Sequence, residues 1–447
     1  MKIAIISLGC PKNQVDADVF CHALIKKGHA TVAYQQEADA IIVNTCGFLD
    51  AAKEEAIEYI LDACKLKKER PEVKVIVTGC LAERYREEVA KEIPEVDAVV
   101  GIGHNVDLPQ ILMHLERSHW PENGALQCFG PKKELPFSAK RVIGTPAHYA
   151  YLKIAEGCSN HCSYCAIPHI RGPMRSRDLH DCVKEAEWLA EQGVREVILV
   201  AQDVTAYGMD KGESEIARLL DRLNEVDKLS WIRIMYAYPE RITDELIDAM
   251  VRNKKVLPYL DLPIQHCNDS ILRSMRRKGD KALIQNVISK LRQAMPNIVL
   301  RTSLIAGYPG ESEQQFEELC EFVKETRFER LGCFAFSREE GTKAAALSGQ
   351  VPEEERQKRA EILMNLQDRI LEEVQNSQIG KKHTVLCDGV DEQVGAWRCR
   401  SYMDAPEIDP VVYVDKEAPL KTGAFYEVEI KESDGCDLFG EYVNNLV

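Results

Sequence analysis

Six of the chain's sixteen cysteines stand where thiolates could do chemistry. Three share one short stretch, Cys158-Ser-Asn-His-Cys162-Ser-Tyr-Cys165. A C-x3-C-x2-C loop can curl around a cubane iron–sulfur cluster and ligate three of its four irons, leaving the fourth open to a small molecule. A zinc loop is the competing reading, and it needs a fourth ligand, from His161 or His169. The other three cysteines are far apart in sequence: Cys10 in SLGCPKN, Cys46 in NTCGF and Cys80 in TGCL.

The elements around these residues explain why the spacing matters. The apolar runs Ile3–Ser7, Ala40–Asn44 and Val73–Thr78 read as buried parallel strands, followed by helices such as Ala51–Cys64 and Glu83–Glu92. Cys10, Cys46 and Cys80 each fall just past such a strand and before a helix, on the edge where open α/β sheets bind ligands and helix N-termini favour anions. Three unrelated buried thiols would be the bland alternative. Residues 1–120 thus form an open α/β domain. Residues 121–146 read as a linker, broken by Pro121, Gly124, Gly130, Pro131, Pro136, Gly144 and Pro146.

Residues 147–376 resume strand–helix alternation. Strands are expected at Tyr149–Ala155, Glu196–Val200, Trp231–Met235, Tyr259–Asp261, Val299–Leu304 and Leu331–Phe336, with a charged helix over Pro352–Asn376. Six such units fit a partial or full (β/α) barrel, with the Cys158 loop at the carboxyl end of its first strand, where barrels build active sites. Residues 380–447 change period, and Thr384–Asp388, Val394–Arg400, Val411–Val414 and Tyr426–Ile430 predict a small all-β, OB-like module. Cys21, Cys64 and Cys128 share no strand-end placement and read as structural. Gln202, Asp203, Tyr236, Asp261, Gln265 and His266 fall at or beyond strand ends, as scaffold or as ligand contacts.

Composition narrows the function. The chain has 57 Lys and Arg against 72 Asp and Glu, a formal net charge of −15, which disfavours a broad nucleic-acid face. Its first residues lack a signal peptide's pattern and no apolar run reaches a membrane span, so a cytoplasmic protein with no membrane role is expected. In a reducing cytosol, clustered cysteines point to metal or catalysis rather than disulfides.

The Cys158 loop resembles the signature of the radical S-adenosylmethionine superfamily. Three strand-end cysteines, that loop and a small β tail together resemble the methylthiotransferase family over essentially the whole chain. The resemblance implies a (β/α) TIM-like radical barrel, a C-terminal TRAM domain and two [4Fe–4S] clusters. Cys10, Cys46 and Cys80 would hold the auxiliary cluster, and Cys158, Cys162 and Cys165 the radical one. S-adenosylmethionine would serve both as methyl donor and, on cleavage to a 5′-deoxyadenosyl radical, as radical source. By the same resemblance Tyr164 would lie against the adenine, and the turn Gly307-Tyr-Pro-Gly-Glu311 would approach the cofactor. A low-potential electron donor is implied.

SLGCPKN, NTCGF, CLAERY at Cys80–Tyr85 and DAPEID at Asp404–Asp409 resemble the RimO-type branch, which modifies the β-carbon of an aspartate in small-subunit ribosomal protein twelve. Charge agrees. From Lys381 to Val447 stand 14 acidic and 7 basic residues, a net of −7. An acidic module repels phosphates but suits a basic ribosomal protein, free or in the ribosome. Direct nucleic-acid binding is therefore not expected. Two alternatives remain: the same chemistry on a modified adenosine in tRNA, and a non-catalytic iron–sulfur protein that docks on ribosomes. Cys267, after Gln265 and His266, departs from the family pattern and is given no role.

Overall fold

The structure is a computed structural model describing residues 1–117, 124–130, 132 and 140–446. It divides into two compact units, one of residues 1–144, 153–185 and 339–342, the other of residues 145–152, 186–338 and 343–447.

Unit one is built on a six-stranded parallel sheet: β1 (Lys2–Ser7), β2 (Ala30–Val32), β3 (Ala40–Thr45), β4 (Lys74–Gly79), β5 (Ala98–Val100) and β6 (Leu126–Cys128), in the order β2-β1-β3-β4-β5-β6. Successive residues point to opposite faces. Thus Ile41 and Val43 enter a core beneath helix α2 (Asp50–Glu69), while Ala40 and Ile42 enter another beneath α1 (Pro11–Lys26). Burial on both faces explains the unbroken apolar runs that betrayed β3 and β4. Strands β2, β5 and β6 escaped the sequence reading because three residues are too few to show a period. The last lies inside the stretch read as an irregular linker, paired with β5 through Ala98 and Leu126. Gly124, Gly130, Gly144 and Pro146 lie in no helix or strand, whereas Pro121, Pro131 and Pro136 lie outside the described residues. The helix expected over Glu83–Glu92 is two, α3 (Cys80–Arg84) and Arg86–Glu92, interrupted at Tyr85 (φ −119°, ψ 45°).

The first strand expected in the barrel is also two. β7 (Tyr149–Lys153) joins the sheet of unit two, and β8 (Ala155–Glu156) pairs with β9 (Arg175–Ser176) as a small antiparallel ribbon in unit one. That ribbon closes the base of the loop carrying Cys158, Cys162 and Cys165.

Unit two holds β10 (Glu196–Val200), β11 (Trp231–Ile234), β12 (Val256–Asp261), β13 (Val299–Ala306) and β14 (Arg330–Ala335), which form with β7 a six-stranded sheet in the order β14-β13-β12-β11-β10-β7. The sheet is open, a partial barrel. A helix over Glu353–Asn376 leads to β15 (Lys382–Asp391), β16 (Ala396–Ser401), β17 (Val412–Asp415), β18 (Phe425–Ser433) and β19 (Leu438–Leu446), which close into a five-stranded barrel. β19 was missed because its polar end, Asn444 and Asn445, masks the alternation.

The tail docks on the sheet through buried charge. Glu196 accepts from Arg233 (2.7 Å) and Arg400 (2.6 Å), and Arg400 also bonds Asp388. Asp404 pairs with Arg330 (2.7 Å), and Asp409 accepts from Tyr259 (2.6 Å). Glu196, Trp231 and Arg330 are each the first residue of a strand, and Trp231 stacks edge-on against Phe425. The tail therefore seats at the amino ends of the strands, not at the carboxyl edge that bears Gly307. Among the described residues no helix is long and apolar enough to cross a membrane.

This network fixes a pH dependence. Burial alone would raise the carboxyls of Glu196 and Asp388, but Arg400, with Arg233 at Glu196 and His148 at Asp388, holds both below their ordinary values. Their stabilisation is present above the unfolded range, about pH 4, and is lost as the pH falls through the folded values. Asp409 works in the opposite sense: burial keeps its carboxyl high against Arg330 and Arg301, so its share is lost as the pH rises. Denaturation midpoints measured from about pH 7 to about pH 3 should fall at the acid end, and less steeply in Glu196→Gln. Equal slopes in the two proteins would contradict the assignment.

Candidate cluster sites

Parallel register sets the ends of β1, β3 and β4 side by side, with Ser7 opposite Asn44 and Thr45 opposite Gly79. Cys10, Cys46 and Cys80 leave that edge. The order β2-β1-β3 makes the gap between β1 and β3 a topological switch point, where open α/β sheets hold ligands. Two glycines let the three loops touch. Gly9 has φ +89°, and a Cβ there would sit 2.7 Å from Cys46 Cβ. A Cβ on Gly47 would sit 2.7 Å from the Leu81 backbone, next to Cys80. Asn13 fastens the assembly: its Nδ2 donates to Leu8 O and Thr45 O, both at 2.9 Å, and its own carbonyl accepts from Asn44 Nδ2.

The thiols interact electrostatically. Burial raises the Cys10 thiol, but Lys12, Arg171 and neighbouring backbone N–H groups outweigh it and hold Cys10 below its ordinary value. Burial pushes Cys46 up, with Cys10 adding to the rise, and pushes Cys80 up to about 12, where Cys10 and Cys46 oppose a further negative charge. Thiolates at these three positions would repel one another, and a cluster's iron is the positive charge that such a donor set would satisfy.

In the second loop Gly157, at φ +77°, lies where any Cβ would run into the Pro173 carbonyl. Cys158 N–H donates to Gly172 O (3.0 Å) and Cys165 N–H to Cys162 O (3.1 Å). Asn160 N–H lies 3.4 Å from Cys158 Sγ, a donor turned toward the sulfur. Burial, then the neighbouring Cys162 and Cys158, raises the Cys165 thiol. Tyr164 is half-buried beside Cys165, while His161 and His169 are exposed. Among the described residues no three His, Cys, Asp or Glu side chains gather as a single metal ion requires. A cubane is larger than one ion and holds its thiolates further apart, so the donors fit a cluster better than zinc.

Both triplets belong to unit one. Gly307 and Glu311 lie in unit two, past the carboxyl end of β13. Gly307 N–H donates to Glu311 Oε1 (3.0 Å), which also accepts from Arg359 (2.7 Å), and His266 stands 3.3 Å from Oε2. Glu311 is thus committed to shaping its own turn. Asp203 and Asp261 are likewise held, by Arg241 and by Arg301 with the Tyr236 N–H. Tyr236 (φ +59°) and Gln265 (φ +70°) carry left-handed backbone at this edge, a strain that clusters at functional sites. Cys267 is buried and points its thiol at Glu318 O, a packing role. Cys64 is core, and burial lifts its thiol to about 11. Sequence reasoning missed Arg171 and Asn13, whose partners are remote in the chain.

Gly9→Ala is expected to force Cys46 away from Cys10 and add backbone strain of about 1–3 kcal/mol. Anaerobic reconstitution should then load markedly less iron at the first triplet than at the second. Full loading at both would contradict this packing.

Three family models match: the uncharacterized protein family UPF0004 over residues 2–101, the radical SAM superfamily over 152–323 and the TRAM domain over 379–443. Among solved structures, the radical S-adenosylmethionine methyltransferase TsrM from Kitasatospora setae superposes with a TM-score of 0.55 at 14% identity. That match covers 74% of this chain and 72% of that one, a likeness of fold. The ribosomal protein uS12 methylthiotransferase RimO of Acetivibrio thermocellus is 44% identical, covering 99% of this chain and 98% of its own. The protein of that name from Clostridioides difficile is also 44% identical, over 100% of both chains. At that identity over that length, the chain belongs to the ribosomal protein uS12 methylthiotransferase RimO family.

Proposed function

We propose that this chain adds a methylthio group to the β-carbon of an aspartate in ribosomal protein uS12, free or in the ribosome. The observation that carries the reading is the pair of cysteine triplets in one compact unit, in a chain 44% identical to RimO proteins along its whole length. Cys10, Cys46 and Cys80 hold an auxiliary [4Fe–4S] cluster, and Cys158, Cys162 and Cys165 a radical one. When bound, these clusters and S-adenosylmethionine supply the sulfur, the methyl group and the radical. The protein's own part is placement. Gly9 and Gly47 bring the first three thiols together, and the β8–β9 ribbon holds the second three. Tyr164 offers a face to the adenine, and the Gly307 turn, braced by Glu311, presents backbone to the cofactor. Residues 1–120 serve the auxiliary site and 147–376 the radical chemistry, while 380–447, seated at the amino ends of the strands, serves to attract a basic substrate. The work is cytoplasmic and draws on a low-potential electron donor.

Charge supports a protein substrate. Asp388, Asp404 and Asp409 are used in internal ion pairs, yet the other eleven tail acids still face six remaining basic residues. Such a surface attracts a basic protein and repels phosphate. The test is anaerobic reconstitution with S-adenosylmethionine, sulfide and a low-potential reductant, with uS12 and an anticodon stem-loop offered in parallel. A methylthio mass gain confined to an aspartate of uS12 is expected. A gain on the RNA instead would move the chemistry to tRNA, and cofactor left uncleaved despite intact clusters would leave a docking protein.

A further inference from the structure

Arg171 is the last residue of the helix Ile167–Arg171, which begins two residues after Cys165, and only 1% of its side chain is exposed. One edge of its guanidinium is used by acids: Nη1 donates to Asp16 (3.0 Å) and Glu156 (2.9 Å). Lys153 bonds the same two carboxylates, so two cations and two anions already balance in the interior. The other edge does something different. Nη2 donates to Asn13 Oδ1 (2.8 Å), in the Cys10 loop, and lies 3.4 Å from Cys80 Sγ.

A guanidinium kept only for an ion pair has no need to aim its second edge at a thiol. The same edge links the loops, because Asn13 also donates to Leu8 O and Thr45 O, at the strand ends that carry Cys10 and Cys46. Cys80 opens α3, which packs on the helix Ile167–Arg171 through Ala166 and Ile170. On α3, Arg84 is held by Gly47 O (2.9 Å) and Glu339 (2.8 Å).

Resting on the two-cluster reading above, we propose that Arg171 is a positioning residue whose N–H···S bond to Cys80 sets the reduction potential of the auxiliary cluster from the helix of the radical loop. Donors and positive charge at cluster sulfurs favour the reduced state and raise the potential. The radical loop must be folded for Arg171 to reach Cys80, so the tuning of the auxiliary site depends on that loop.

The fully loaded enzyme tests this by EPR-monitored redox titration. S-adenosylmethionine added in parallel identifies the radical cluster, whose signal alone should respond to it. In Arg171→Lys, which keeps the charge but cannot fork to four partners, the auxiliary midpoint should become more negative while the radical midpoint stays. Glu156→Gln leaves the Nη2 edge in place while loosening the Nη1 edge and Glu156's own bonds to Lys153 and the Gly157 N–H, so it should not make the auxiliary midpoint more negative. An unchanged midpoint in Arg171→Lys, or an equal shift in Glu156→Gln, would overturn the proposal. Because Arg171→Lys could fail to load, the wild-type enzyme carrying 15N-arginine supplies a second readout. A 15N hyperfine coupling at the reduced auxiliary cluster is expected, and its absence overturns the contact. Should wild-type protein assemble one cluster instead of two, the reading beneath the proposal fails, whatever Arg171 does.

Discussion

Replacing Cys10, Cys46 and Cys80 together by alanine should leave an enzyme that cleaves S-adenosylmethionine to 5′-deoxyadenosine but transfers no methylthio group. The matching change at Cys158, Cys162 and Cys165 should abolish both activities. Each variant should lose about half of the cluster iron, since each triplet can ligate one cubane. The asymmetry follows from the fold. The first triplet closes the carboxyl edge of β1, β3 and β4, and the second sits in a separate loop tied by its own ribbon and by Cys158 N–H to Gly172 O. Removing one set of thiols leaves the backbone of the other intact. The Arg171 network survives the first variant, because Asp16 and Glu156 still hold its charge. Iron and acid-labile sulfide, scored beside 5′-deoxyadenosine and product mass, decide the matter. Loss of both activities in both variants would mean that the triplets do not act separately.

Glu196→Ala should destabilise the protein by about 3–5 kcal/mol, the cost of leaving a buried charge without its partner. Glu196 is fully buried between Arg233 and Arg400, which are fully buried too. Arg400 keeps Asp388, but among the described residues Arg233 keeps Tyr402 O and the face of Tyr259, 4.5 Å from the ring centroid. A denaturant midpoint read beside hydrogen exchange should show the strands β15 to β19 losing protection first. Replacing Glu196 and Arg233 together by apolar residues of similar volume, which leaves Arg400 its pair with Asp388, should recover much of the loss, because the desolvation of the Glu196–Arg233 pair then disappears with its charges. A midpoint within experimental error of wild type in Glu196→Ala would show that the network holds nothing.

Much of this was legible in the sequence for particular reasons. β3 and β4 announce themselves as unbroken apolar runs, and the cysteines gain meaning from standing at their ends. The C-x3-C-x2-C loop is local, so spacing alone reveals it. What was hidden is long-range. Nothing local in Ile167–Arg171 says that Arg171 will meet Cys80, a residue 91 positions away. Asn13 reads as part of a motif, but its work is to join the ends of β1 and β3. Charge counting was informative and incomplete for the same reason. Asp404 and Asp409 in DAPEID count as surface acidity in sequence, whereas the fold buries them against Arg330 and Tyr259. Likewise Glu311 reads as a ligand contact, and its carboxylate is already held by Gly307 and Arg359.

The most direct test of the central claim follows one hydrogen. uS12 whose target aspartate carries deuterium at the β-carbon is turned over by the reconstituted enzyme, and the 5′-deoxyadenosine is analysed by mass spectrometry. A radical that activates that carbon predicts one deuterium in 5′-deoxyadenosine for each methylthio group gained by the protein. Methylthiolated protein with unlabelled 5′-deoxyadenosine, or label transferred with no gain of mass, would contradict the account.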